Sequence, residues 1–196
     1  MIRRIAPDVP IVDVSHGITR HGIRHGALVL AAALPYMPVG VHVAVVDPQV
    51  GTERRAVALR CGDGRLLVGP DNGVLSLAWE RAGGVEEAFD VSRSPHRLEP
   101  VSATFHGRDV FAPVAAHLAA GAELADAGDP LDPSSLTALT LPTPTVGADA
   151  ATAHSLANAL GIPSYDAAVV GYPQRMRDWN ARSKMQDQRR GAAPER

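Results

Sequence analysis

Three short stretches carry side chains able to do chemistry, and each falls where a loop is expected. "VVDPQVGTERR" (45–55) offers a carboxylate at Asp47 and guanidinium groups at Arg54 and Arg55. "GPDNG" (69–73) offers Asp71 and Asn72, while "TFHGRD" (104–109) crowds His106, Arg108 and Asp109 around Gly107. A carboxylate, a guanidinium and an imidazole together can orient a water molecule, balance its charge and handle its proton. Taken alone, each has a plainer use. Asp47 before Pro48 suits a loop cap that accepts backbone N–H groups. Asp71 or Asn72 suits a helix N-cap, and Arg54, Arg55 and His106 suit a solvated surface. What argues for one site is shared position: three polar loops follow strands of one sheet. Gly107 adds a place where a ligand can approach the backbone closely.

Two other patterns lead elsewhere. His16, His21 and His25 include an i, i+4 pair, but neither a Glu of the HExxH kind nor a Cys pair accompanies them, so no metal is expected. "CGDGRLLVG" is glycine-rich without the G-x-G-x-x-G order or a following helix, and reads as a hairpin rather than a nucleotide loop.

The elements that must position these loops read as α/β. Residues 9–15, "VPIVDVS", predict a short, mostly buried strand. Residues 22–34 predict a helix whose apolar side is Ala27, Leu28, Leu30, Ala31 and Leu34, stopped by Pro38 and Gly40. "VHVAVVD" (41–47) predicts a strand covered on both faces. Strand, helix and strand imply a right-handed crossover and parallel pairing. Residues 56–61 and 65–69 flank the hairpin turn. Helices are expected over 74–82 and 108–120, the latter ended by Gly121, with a strand at 85–91 between them. The expected domain is therefore a mostly parallel sheet with helices on both faces and ligand loops at the carboxyl ends of its strands. It spans residues 1–132. Residues 133–196, first Pro/Thr/Ala-rich and then highly charged, read as a linker and poorly ordered tail.

Bulk composition narrows the function classes. The 196-residue chain is 45% hydrophobic and 20% charged, which is globular composition. A net charge of −2 provides no basic field for nucleic acid. The longest apolar run, "ALVLAAALPYM", is too short to span a bilayer, and Pro7, Asp8 and Pro10 interrupt any signal-peptide core. The single cysteine, Cys61, excludes an internal disulfide and suits a reducing compartment. A soluble cytoplasmic protein is the expectation.

Four motifs in order, "IVDVSHGI", "LPYMPVGVHVAVVDPQVGTERRAVAL", "LLVGPDNGVLS" and "SATFHGRDVFAPVAAHLAAG", resemble the S-adenosyl-L-methionine hydroxide adenosyltransferases, relatives of the fluorinase and chlorinase enzymes. The resemblance covers roughly residues 8–132. It implies hydrolysis of S-adenosyl-L-methionine to adenosine and methionine by an Asp–Arg–His triad, which falls on Asp47, Arg54 and His106. Halogenating relatives lack that triad, so halide transfer is the alternative it argues against. An inactive nucleoside-binding or assembly module is a further one. The resemblance also places His21, Val50, Phe105 and Gly107 along the pocket near the ribose and reacting carbon, with Asp71 and Asn72 in a substrate-binding motif. No cofactor is implied, and the assembly implied is a homotrimer. Such an activity suits elementary chemistry. A sulfonium is already a good leaving group, so the task is to hold a dry, aligned water in line with the C–S bond. Three departures accompany the resemblance: the family's opening TDFGxxDPYVGxMKG strand and loop and its C-terminal β-barrel pattern are not found, and Gln49 replaces a glycine beside Asp47.

Overall fold

The computed structural model describes residues 1–141 and 150–159. Met1–Leu141 forms one compact unit. Its elements are α1 (Ile2–Ile5), α2 (Ile23–Ala33), β1 (Val41–Val43), β2 (Ala56–Cys61), β3 (Leu66–Pro70), α3 (Ser76–Arg81), β4 (Val85–Asp90), α4 (Ala112–Ala119) and β5 (Asp129–Leu131). Beyond that unit, Ala150–Ala159 forms a helix, α5. Most of the expected linker and tail, residues 142–149 and 160–196, lies outside the described residues.

The α/β class holds, and helices cover both faces of one five-stranded sheet ordered β1-β3-β2-β4-β5. The sheet is mixed rather than mostly parallel: β1 pairs parallel with β3, and every other pairing is antiparallel. The reason is the Asp63-Gly64 hairpin, which inserts β2 between β3 and β4 and reverses its direction. Gly64 takes φ +85 in that turn. Because β2 alone separates them, β1, β3 and β4 all run the same way. Their following loops therefore emerge at one end of the sheet, as a parallel arrangement would have delivered them.

Alternation along β2 sorts the core into two layers. Ala56 and Ala58 face a cluster with Val110, Phe111, Val114 and Leu118 of the segment leading into and through α4. Val57, Leu59 and Cys61 face Leu30 and Leu34 from the α2 segment, and Leu75 and Ala78 around α3. In α2 the buried residues are Gly26, Ala27, Leu30 and Ala31, spaced for one helix face. Leu28, expected on the apolar side, points outward and is exposed, because it lies off that stripe.

Two strand expectations change. Residues 11–15 are irregular and exposed, so the crossover pair expected between residues 9–15 and 41–47 does not form. Strand propensity reflects a fit to neighbours more than an intrinsic backbone preference, and this segment has no ladder partner among the described residues. The strand expected over 41–47 is regular only at Val41–Val43, with one further bond from Ala44 N–H to the Val68 carbonyl. No described helix is long and apolar enough to cross a membrane.

Leu67 is fully buried in β3, an interior strand of this sheet. Leu67→Ala should cost about 2–5 kcal/mol in a urea unfolding curve, the usual range for a buried leucine whose cavity only partly collapses. A loss below about 0.5 kcal/mol, typical of surface changes, would contradict the assigned core.

Candidate active site

Asp47, Arg54 and His106 come together although His106 follows Arg54 by 52 positions. Arg54 Nε donates to both carboxylate oxygens of Asp47 at 3.0 Å, and its Nη2 also bonds Asp47 Oδ2. The same Nη2 lies 3.0 Å from His106 Nδ1. Arg54 is thus the centre of the group, with the carboxylate on one side and the imidazole on the other. Both charged side chains are only 5% exposed. Arg54 Cζ also sits 5.1 Å from the centre of the buried Phe111 ring, adding a cation–π contact.

The polarity of these bonds sets the state of the histidine. A guanidinium has only donors, so Nδ1 must accept. The ring is then neutral, with its proton on Nε2. Electrostatics agree: burial, followed by the neighbouring Arg54 charge, lowers the His106 pKa below its ordinary value, against the opposing pull of Asp47 and Asp109.

Local backbone chemistry explains how the loops meet. After Asp47 the chain turns back through Pro48–Thr52, where Thr52 donates its N–H and hydroxyl to the Gln49 carbonyl. Gly51 takes φ +79 there, and a Cβ at this position would stand 2.5 Å from the Ala103 carbonyl. Glycine is therefore required twice over, once for the left-handed backbone and once for contact with the histidine-bearing loop. Gln49 is exposed and takes no positive φ, so its side chain is accommodated beside Asp47. His106 itself precedes a π-type turn over Gly107–Phe111, in which Ala112 N–H bonds the Gly107 carbonyl. Asp109 secures that turn. Its buried carboxylate accepts from Ser102 N–H at 2.9 Å and from Arg108 Nε at 2.5 Å, and hydrogen bonding from Arg108 lowers its pKa.

The remaining sequence candidates divide. Phe105 is 58% exposed beside the triad, with Arg108 stacked on its ring. A Cβ on Gly107 would lie 3.7 Å from Val45, which leaves that backbone open on one side. His21 is exposed, at φ +64, and Val50 is half-buried; neither hydrogen-bonds to the triad. Asp71 and Asn72 are turned to other residues of the chain. Asp71 pairs with Arg55, and Asn72 donates to the Val46 carbonyl at 2.9 Å. Sequence reasoning missed Phe111 as the platform beneath Arg54 and left Arg55 as a solvated cation; the ring's place two positions after Asp109 in the helical segment was the available signal. An open cavity of about 520 Å³ lies beside the group, lined in part by Arg54, His106, Arg55, Arg93 and Asp90. No cluster of three or more metal-ligating side chains occurs among the described residues.

Residues 1–128 match the SAM hydroxide adenosyltransferase N-terminal domain. The chain belongs to this family. It is 52% identical over 156 residues to a (R)-S-adenosyl-L-methionine hydrolase of Salinispora tropica, covering 80% of this chain and 59% of that one. A fluorinase of an Actinoplanes species is 31% identical, covering 71% of this chain and 54% of the relative. Among solved structures, an uncharacterized conserved protein from Thermotoga maritima superimposes with a TM-score of 0.68 at 39% identity, covering 74% and 55% of the two chains. The chain thus spans somewhat over half the length of each of these three proteins.

Gly51→Ala should uncouple the two loops. The left-handed backbone alone costs about 1–2 kcal/mol for a residue with a Cβ, and the carbonyl contact adds to it. Calorimetric melting should fall, and the His106 ring resonances should move; an unchanged His106 spectrum would show that Gly51 does not latch the site.

Acid should weaken the fold in a defined window. His42, His96 and His106 all have pKa values lowered first by burial. The unfolded chain then binds protons more readily than the folded one. Their contribution is complete above the ordinary value of 6.5 and is lost progressively as pH falls below it. Unfolding free energy should decline between about pH 7 and pH 5, before carboxylates titrate. His106→Asn should flatten part of that decline, and an identical slope would contradict the assignment.

Proposed function

We propose that this chain carries the reaction centre of an S-adenosyl-L-methionine hydrolase, forming adenosine and methionine by attack of water at ribose C5′. One observation supports this reading above others: a buried carboxylate, guanidinium and neutral imidazole joined through Arg54, in a family whose relatives include named hydrolases.

The chemistry assigned to each group follows from its bonds. Asp47 accepts a hydrogen bond from the attacking water on a lone pair that Arg54 leaves free, which fixes the direction of the oxygen lone pair aimed at C5′. Arg54 balances the carboxylate and holds positive potential beside the oxygen as it loses its proton. His106 presents Nε2–H, so it acts as a donor that steadies the nucleophilic oxygen rather than as the base. The new C–O bond forms as the C–S bond breaks, and its electron pair leaves on the methionine sulfur. The water proton departs to solvent by way of the carboxylate. Phe105, Val50, His21 and the open backbone of Gly107 line the approach of the ribose and reacting carbon in this reading. No cofactor or metal has a step in it. A homotrimer working in the cytoplasm completes the reading.

Incubation in ¹⁸O-water should place the label at the 5′-hydroxyl of adenosine, with methionine released in equal amount. Asp47→Asn should lower turnover by roughly 10²–10⁴, the range for a lost proton-handling group. Formation of a 5′-halo-adenosine in chloride or fluoride buffer, without adenosine, would overturn the reading in favour of halide transfer. Binding of S-adenosyl-L-methionine without any product would instead favour a nucleoside-binding module.

A further inference from the structure

Arg54 and Arg55 are consecutive at the entry to β2, so their side chains fall on opposite faces of the sheet. Arg54 turns to Asp47, His106 and Phe111. Arg55 turns the other way and meets a second ionic group. Its Nε and Nη2 donate to Asp71 Oδ2 at 2.9 and 2.5 Å, and the Asp71 N–H donates back to the Arg55 carbonyl at 3.0 Å. The other Asp71 oxygen accepts from Thr137 N–H at 2.7 Å. Arg55 also reaches Ser135, through Nη1 to its hydroxyl at 3.1 Å and Nη2 to its carbonyl at 2.6 Å. The Asp71 side chain is 3% exposed.

Asn72 repeats the arrangement one residue on. Its Nδ2 donates to the carbonyl of Val46, the residue before Asp47, and its Oδ1 accepts from Val74 N–H. Both members of the Asp47–Arg54 pair therefore have a chain neighbour pinned by the Asp71-Asn72 dipeptide. The same dipeptide fastens the segment 133–139, helped by Leu139, whose N–H bonds Ser76 Oγ at 3.1 Å. Leu139 packs on Gly73, where a Cβ would stand 2.8 Å from Leu139 Cγ.

We infer that Asp71 and Asn72 are positioning residues rather than substrate contacts: they hold Asp47 and Arg54 in register through Val46 and Arg55, and clamp residues 133–139 onto the same loops. A register slip or roll of the Arg54-Arg55 segment would break ion pairs on both faces at once. Asp71 and Asn72 have their hydrogen-bonding groups committed within the protein, which leaves them poorly placed to recognise a ligand. The catalytic consequence rests on the hydrolase reading above; the positional consequence does not.

The test uses the full chain with ¹⁵N-labelled histidine, comparing Asp71→Asn, Asn72→Asp and Arg55→Lys. The His106 Nδ1 signal reports the bond from Arg54, and proteolysis within 133–139 reports the clamp. All three substitutions should shift the Nδ1 signal, and those at Asp71 and Arg55 should expose residues 133–139 to cleavage. Turnover should fall roughly 10- to 100-fold, as for a small misplacement of reacting groups, with KM held within about twofold because ground-state binding is untouched. A raised KM with unchanged turnover and an unchanged Nδ1 signal would make these residues substrate contacts and overturn the inference. If the parent chain turns over no substrate, the hydrolase reading fails, and the Nδ1 signal decides alone: a shift supports positioning and no shift overturns it. Should Asp71→Asn not fold, Arg55→Lys, which keeps the charge and removes only the fork, gives the same decision.

Discussion

The ion pair between Asp47 and Arg54 is the constraint around which the rest is arranged. Removing two charges from water carries a penalty of several kcal/mol for each ion, and their attraction offsets it only when geometry and further bonds are good. Here three N–H contacts, an aromatic face and an imidazole acceptor surround a single guanidinium. Each imposes a demand on the chain. The contact across seven residues needs a tight return through Gly51, and the aromatic face needs Phe111 locked into the core. The imidazole needs the π-type turn that Asp109 secures. Such a pair is weak evidence for stability, yet breaking it would leave an uncompensated charge inside the protein.

Sheet direction explains why loops distant in sequence can meet this demand. With β1, β3 and β4 running the same way, the segments after each of them open at one end. The reversed strand β2 starts at that same end, so Arg54 and Arg55 enter the sheet where the other loops leave it. One strand entry thereby serves two ionic groups on opposite faces. The hairpin that spoils a regular parallel sheet is also what brings the two arginines to the site.

Much of this was legible in the residues, and the failures have physical causes. Elements with internal patterning were readable: the α2 stripe, the Asp-Gly hairpin and the helix ending at Gly121. The grouping of three candidate residues was expected from their loop positions and the family resemblance, and in the structure Asp47 and His106 both bond to Arg54. Residues 9–15 misled because apolar, β-branched composition promises a strand only where a ladder partner exists. β5 gave no signal, since Asp-Pro-Leu is short and carries a residue unable to donate a ladder bond. The partner of Arg55 was unreadable for another reason: nothing in a local window says which of several carboxylates a long side chain will reach. The partners of Asp71 and Asn72 were hidden in the same way, because Val46, Arg55 and Thr137 lie in other segments.

The central place of Arg54 has a consequence for how charge moves. In sites where carboxylate and imidazole touch, a proton shared between them lets one group tune the other's basicity. A guanidinium placed between them carries only donors and keeps its protons in proteins. It therefore insulates: Asp47 and His106 feel one another's charge, but no proton can pass from one to the other through Arg54. What couples the two ends is charge: losing the carboxylate would strip Arg54 of its counter-ion and change the field at the imidazole without any proton crossing the guanidinium.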